Sequence, residues 1–220
     1  MMGEEIDLMI NYPRSKRNVE DRGAKKTPED RELARQFGRA FFDGHRDHGY
    51  GGFSYNPRFW EPVIPTFQSH FNLTSNDEIL DVGCAKGFML YDFQRLIPGI
   101  GLKGIDISEY AIAHSIESIK DCVRVGDASD LPYDDNSFDV SISITTIHNL
   151  ELEQCGKALQ ELERVSRRGS FVTLDAYRNE EEKERMESWN LTAKTMMHVD
   201  EWKKFFLDVG YTGDYYWFIP

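Results

Sequence analysis

Apolar residues recur along the chain at two spacings, and the switch between them separates a helical first third from a sheet-forming remainder. Residues 1–26 follow neither spacing: Arg14, Lys16, Arg17, Glu20, Asp21 and Arg22 mix both charges with no sustained apolar period. That stretch predicts a flexible arm, disordered or ordered only against a partner. At Thr27-Pro28-Glu29-Asp30 the helix-start signals coincide, with a capping hydroxyl, a proline at the first helical position and acids beside the positive end of the dipole. Leu33, Phe37, Ala40 and Phe41 then fall on one stripe, which predicts a helix running to about Phe42. Residues 43–60 form a glycine-rich loop dense in aromatic rings, and Pro62, Val63, Ile64, Phe67 and Phe71 mark a second helix over about 61–71. Residues 27–76 are therefore expected to form an N-terminal helical lid or substrate cap.

From Glu78 onward short apolar runs alternate with helical patterns. Strands are predicted at 78–82, 102–106, 122–125, 138–145 and 170–176, with a last one within 214–219. Helices are predicted at 87–97, 108–120, 153–166 and 200–209. Such alternation specifies an α/β core over 77–220, a Rossmann-like, doubly wound and mostly parallel sheet.

Charge narrows the partners. The 220 residues carry 38 acidic and 26 basic side chains, a net charge of −12, which disfavours nucleic acid because phosphate-backbone binding needs a basic face to release counterions. The three cysteines, Cys84, Cys122 and Cys155, have no Cys-x-x-Cys spacing, so no disulfide framework is expected. His45 and His48 on a glycine-flanked loop are too weak a ligand pattern, and no metal is expected. No run of about 20 apolar residues is present and residues 1–10 lack the basic-then-apolar order of a signal peptide. A cytoplasmic protein with no membrane association is expected, monomeric or homodimeric.

The chemistry concentrates in residues 79–88, Ile-Leu-Asp-Val-Gly-Cys-Ala-Lys-Gly-Phe, a buried strand breaking into a glycine-bearing turn and a helix. A dinucleotide site wants Gly-x-Gly-x-x-Gly/Ala. Here Gly83, Ala85 and Gly87 are spaced by two, and the bulky Phe88 stands three after Ala85, so NAD is disfavoured. The spacing resembles the acid-x-Gly-x-Gly-x-Gly turn of class I S-adenosylmethionine-dependent methyltransferases, with Ala85 in place of the central glycine. The resemblance continues in Gly104-Ile105-Asp106-Ile107-Ser108, in Gly126-Asp127-Ala128, and in Leu131-Pro132-Tyr133-Asp134-Asp135-Asn136-Ser137-Phe138-Asp139. Residues 200–210 are similar to the terminal helix of the type 11 group.

That resemblance implies a seven-stranded sheet and S-adenosyl-L-methionine as cofactor, leaving S-adenosyl-L-homocysteine. It implies that Asp106 accepts the ribose hydroxyls and that Asp127 contacts the adenine amine while the Ala128 amide reaches the ring. It also places Asp81 towards the methionine end, with Gly83, Cys84, Ala85, Gly87, Ile107 and Thr145 completing the cofactor set. His148, past the fourth strand in Thr145-Thr146-Ile147-His148-Asn149, stands where many members face the transferred methyl, and an imidazole titrates near neutrality, so it is the candidate base. Tyr50, Tyr55, Arg58 and Trp60 are candidate lid residues, where rings would exclude water and grip a sulfonium, and Tyr177 is a candidate specificity residue. The expected function is methyl transfer to an O, N or C atom of a small metabolite. A protein side chain as acceptor, or a non-catalytic cofactor-binding module, stays open.

Overall fold

A computed structural model describes residues 3–13 and 26–220. Its centre is β1 (Glu78–Val82), where every residue after Glu78 is buried; a strand covered on both faces needs a continuous apolar run rather than an alternating one. On one side of β1 lie β2 (Gly101–Asp106) and then β3 (Val123–Val125), and on the other β4 (Phe138–Ile144) and β5 (Ser166–Tyr177). Two further strands, β6 (Met197–His198) and β7 (Asp214–Phe218), both pair with β5. All pairings between these seven strands are parallel.

The helices cover both faces. In chain order they are α1 (Pro28–Ala34), α2 (Arg39–Asp43), α3 (Pro57–Trp60), α4 (Ile64–Phe71), α5 (Phe88–Leu96), α6 (Glu109–Ala113), α7 (Leu152–Val165), α8 (Glu180–Trp189) and α9 (Val199–Val209). One core layer packs Leu159 and Leu162 of α7 with Trp202 and Phe206 of α9 against the sheet. The opposite layer packs Phe67 of α4 and Leu90 and Phe93 of α5 against Ile79, Ile142 and Phe171. Because the strand order reverses at β1, which lies between β2 and β4, a crevice opens at the carboxyl ends of β1 and β4, where such sheets bind ligands.

Several elements differ from the expectation. The helix predicted over 27–42 begins as foreseen, with the Thr27 hydroxyl and the Asp30 carboxylate forming a reciprocal capping box. It breaks at Phe37, whose φ of 48° is left-handed, and resumes as α2 after Gly38. The helix predicted over 108–120 is only α6 followed by a 3-10 turn at Glu117–Cys122, because Ile116 is extended at ψ 133°.

The arm expected over 1–26 is described only in part, since residues 1, 2 and 14–25 lie outside the described residues. Residues 3–13 pack on the body. Ile6 donates to the Tyr215 carbonyl at 2.9 Å and Tyr215 donates to the Glu4 carbonyl at 3.0 Å, so the segment bridges β7, and Leu8 is buried beneath it. No described helix is long and apolar enough to cross a membrane.

Candidate functional site

The turn after β1 is built from alternate left-handed residues: Gly83 at φ 86°, Ala85 at φ 49° and Gly87 at φ 75°. At two of them only glycine fits. A Cβ on Gly83 would stand 2.0 Å from Thr146 Oγ1, and one on Gly87 would stand 2.1 Å from Ile119 Cδ1. At the third, Ala85 keeps the conformation a glycine would adopt and bears its steric cost. Gly83 and Cys84 both donate to the Ile105 carbonyl, at 2.7 and 3.1 Å, which ties the turn to the end of β2. Asp106 strengthens that tie, because its two oxygens accept separately from the Ala85 N–H at 2.7 Å and the Ser108 N–H at 2.8 Å.

Above this turn opens a cavity of about 1380 Å³. Every residue expected to hold the cofactor lines it except Gly87, which lies behind the turn against Ile119. Ile107 presents an apolar side chain that is 57% exposed, a flat platform of the kind a base stacks on. Asp127 Oδ1 is occupied by the Ser129 N–H and hydroxyl, both at 2.8 Å, which orients the carboxylate and leaves Oδ2 for a donor. Asp81 is 3% exposed, and burial first, then the charge of Asp106, pushes its pKa up to about 8. Burial also raises Asp106, against which its two backbone N–H bonds work. Three acids thus face this end of the cavity, an environment that stabilises a positively charged guest.

Lys86, the one charged residue inside the turn, points the other way. Only 7% exposed, its ammonium donates to Asp43 Oδ2 at 2.6 Å and to the Phe53 carbonyl at 2.8 Å. The same carboxylate accepts from the Phe53 N–H at 2.9 Å and the Tyr110 hydroxyl at 2.8 Å. Burial works against the Asp43 carboxylate, but these donors outweigh it and hold its pKa down at about 2. The latch seats an aromatic wall: the Tyr50 and Phe53 rings lie 4.2 Å apart, and Phe53 stacks on Phe88 at 4.7 Å.

Of the candidate lid residues Tyr50 and Trp60 line the cavity and Tyr55 and Arg58 do not, nor does the specificity candidate Tyr177. Tyr55 donates instead to Asp92 at 2.6 Å and accepts from Arg95 at 2.8 Å on α5. Arg58 lies over the Phe59 ring, and Tyr177 lies beside Lys183 and His198.

At the other end, past β4, Thr145 is left-handed at φ 50° and donates to both the carbonyl and hydroxyl of Thr173. His148 is 4% exposed and is held twice by Asp175, whose N–H donates to Nδ1 at 3.1 Å and whose Oδ1 lies 3.5 Å from Nε2. A neutral ring that accepts at Nδ1 carries its proton on Nε2, so neither nitrogen offers a lone pair to an acceptor. Burial lowers the His148 pKa, an effect the Asp175 charge opposes, and burial raises that of Asp175. The base expected at His148 is thus, in this arrangement, the support of a buried carboxyl.

Sequence reasoning assigned no role to Lys86 or to the cations Arg35, Arg46, Arg185 and Lys194 that line the same cavity, and named Asp43, Asp175 and Arg178 only within longer segments. Lys86 carried a signal, a charged side chain inside a glycine turn. The others are brought in from distant segments. Among the described residues no group of three metal-ligating side chains occurs.

Residues 80–174 match the model of a methyltransferase domain family. Over 204 residues the chain is 33% identical to a tRNA (carboxymethyluridine(34)-5-O)-methyltransferase of Arabidopsis thaliana, covering 90% of this chain and 45% of that one. Over 126 residues it is 30% identical to a demethylmenaquinone methyltransferase of Symbiobacterium thermophilum, covering 53% and 49%. The chain thus spans about half the length of these curated relatives. Among solved structures, a methyltransferase in complex with a methyltransferase activator of Haloferax volcanii superposes with a TM-score of 0.54 at 22% identity, covering 69% of this chain and 67% of that one.

Proposed function

The chain belongs to the class I S-adenosylmethionine-dependent methyltransferases, and from that premise we propose that it binds S-adenosyl-L-methionine and passes its methyl group to an O, N or C atom of a small metabolite. The observation that carries the reading is the convergence, on one cavity wall, of the left-handed turn, Asp81, Asp106, Ile107 and Asp127. That donor set fits the molecule. Asp106 keeps a lone pair on each oxygen for the ribose hydroxyls, Asp127 keeps Oδ2 for the adenine amine beside the Ala128 amide, Ile107 underlies the ring, and the acid at Asp81 suits an ammonium.

When bound, the sulfonium supplies an activated methyl carbon for in-line displacement. The residues of this chain then have to align and shelter that centre. Tyr50, Phe53 and Trp60 act as a lid that excludes water and faces the positive charge with ring surfaces. His148 and Asp175 close the acceptor end.

Titration calorimetry with S-adenosylmethionine tests the reading. Asp106→Ala should weaken binding at least tenfold, since it removes both ribose contacts and the staple of the turn, and binding unchanged by that substitution would refute the assignment. A second reading, transfer to an RNA nucleoside, is favoured by similarity to a tRNA methyltransferase across 90% of the chain. A net charge of −12 opposes it.

A further inference from the structure

Asp175 lines the cavity from β5, and its side chain is only 9% exposed. Its hydrogen bonds run through the main chain, where the N–H donates to His148 Nδ1 at 3.1 Å and the carbonyl accepts from Trp202 Nε1 at 3.0 Å. The carboxylate itself accepts no hydrogen bond among the described residues. His148 Nε2 approaches Oδ1 to 3.5 Å and turns its proton towards it, which leaves Oδ2 without a partner. A buried carboxylate so poorly supplied with donors is costly, and a catalytic role is one reason for a fold to keep it.

The wall of the cavity runs from this carboxyl to the turn after β1. Thr173 stands two residues before Asp175 and so on the same face of β5, and it accepts the Thr145 N–H at both its carbonyl and its hydroxyl. Thr146, next in the chain, crowds Gly83 so closely that a Cβ there would stand 2.0 Å from its hydroxyl. Gly83, Thr145, Thr146, Thr173 and Asp175 thus line one stretch of wall across the neighbouring strands β1, β4 and β5. Glu182, another carboxylate of the lining, is already engaged: Oε2 accepts the Arg178 N–H at 2.7 Å and Oε1 lies 3.9 Å from the Arg178 guanidinium.

Resting on the methyltransferase reading above, we infer that Asp175 is the proton acceptor of the reaction, serving a neutral methyl acceptor that attacks through an O–H or N–H group, with His148 as the residue that positions the carboxylate. A lone pair of the acceptor oxygen or nitrogen forms the new bond to the methyl carbon while the S–C bond breaks and its electron pair stays on sulfur. The acceptor's proton passes to the Asp175 carboxylate. Sulfonium and carboxylate become a neutral thioether and a neutral carboxylic acid, and the acid returns its proton to water once the products have left.

The ionised carboxyl is the competent form, so the rate falls as pH drops through the Asp175 pKa. Burial raises that pKa and the His148 charge opposes the rise. Of the elements packed on Asp175, the 3-10 turn Ile147–Asn149 presents His148, α9 presents Trp202, and β7 presents Phe218 in register with it. Arg35, Arg178, Glu182, Arg185 and Lys194 are the other charged groups past β4 in the cavity lining.

The test follows label from methyl-tritiated S-adenosylmethionine into the small-metabolite fraction of a cell extract, with the full chain and with donor affinity measured by calorimetry. Asp175→Asn should slow incorporation at least about 100-fold at donor affinity within twofold, and Asp175→Glu should fall between. The acid limb of the rate should move to higher pH in His148→Gln, which removes the charge that opposes the raised pKa, and a residue that only held the fold would leave it in place. The label should sit on oxygen or nitrogen and survive mild alkali. A smaller loss in Asp175→Asn, a loss that follows donor affinity, or an unmoved limb overturns the proposal. So does a comparable loss in Glu182→Gln, alkali-labile label from a carboxylate that has no proton to give, label on carbon, or no label with the donor bound. All of these leave the methyltransferase reading standing, whereas failure of the donor to bind overturns that reading itself.

Discussion

If Asp81 receives the ammonium of the methyl donor, donor affinity must depend on the ionisation of Asp81, and the structure sets the size of the effect. Burial and the neighbouring Asp106 raise its pKa to about 8 in the donor-free protein, so at about pH 6 roughly one molecule in a hundred carries the charge. Pairing with an ammonium requires the ionised form. Affinity should therefore fall by up to about 100-fold between about pH 9 and pH 6, equivalent to about 2.7 kcal/mol. The ligand's own amino group titrates in the same range, but it does so equally in the Asp81→Asn protein. The ratio of wild-type to variant affinity, measured by calorimetry in steps of pH, isolates the residue. Stability without donor should move oppositely. A carboxyl whose folded pKa is raised contributes fully below its unfolded value near 4 and loses that contribution as pH rises through about 8. Asp81→Asn should thus raise the melting temperature of the donor-free protein at about pH 9 and leave it unchanged near pH 4. An affinity ratio that stays flat from pH 6 to 9 would refute the reasoning.

Three further outcomes follow from the geometry. Lys86→Met leaves the Asp43 carboxylate without its ammonium and should cost about 1–3 kcal/mol in chemical denaturation. It should also loosen residues 41–53 in hydrogen exchange, and Lys86→Arg should recover part of both; protection unchanged in the methionine variant would dissolve the latch. Ala85→Gly removes a left-handed alanine costing roughly 1–2 kcal/mol but adds about 0.4–1 kcal/mol of unfolded-state freedom. A net gain of about 0.5–1 kcal/mol should appear as a higher denaturant midpoint at constant slope, and a lower midpoint would contradict the assigned backbone. His148→Gln should keep at least a tenth of the turnover, because neither ring nitrogen offers a lone pair to an acceptor. A loss beyond about 1000-fold with donor affinity intact would restore the imidazole as a base.

What the sequence disclosed follows the range over which each feature is determined. The strand, turn and helix at 78–96 were legible because glycine spacing, apolar run and helix start are all local. Asp106 and Asp127 were legible through the resemblance to the methyltransferase family, in which acids stand at or just past the ends of neighbouring strands. The break at Phe37 was hidden: Leu33, Phe37, Ala40 and Phe41 keep the helical period through it, and only Gly38 hinted at an interruption. The tautomer of His148 was beyond reach, since it depends on a backbone N–H from β5, 27 residues on. Likewise Lys86 looked like one more residue of the turn until the fold supplied Asp43. Residues 3–13 show no sustained apolar period because the segment is short and docks by backbone bonds to Tyr215 together with Leu8, Ile6, Met9 and Tyr12.

That last contact has a consequence for the whole sheet. The strand it covers, Asp214–Phe218, reads Asp-Tyr-Tyr-Trp-Phe, and it is an edge with neither proline nor lysine to repel a second chain. Glu4 and Ile6 occupy the main-chain donor and acceptor of Tyr215 within it, and His70 holds Asp214 by a 2.7 Å contact from α4. Removing residues 3–13 would uncover a flat, aromatic template of the kind that seeds cross-strand association. Residues 3–13 thus cover Tyr215 on this edge, and colloidal behaviour is where their loss should register first.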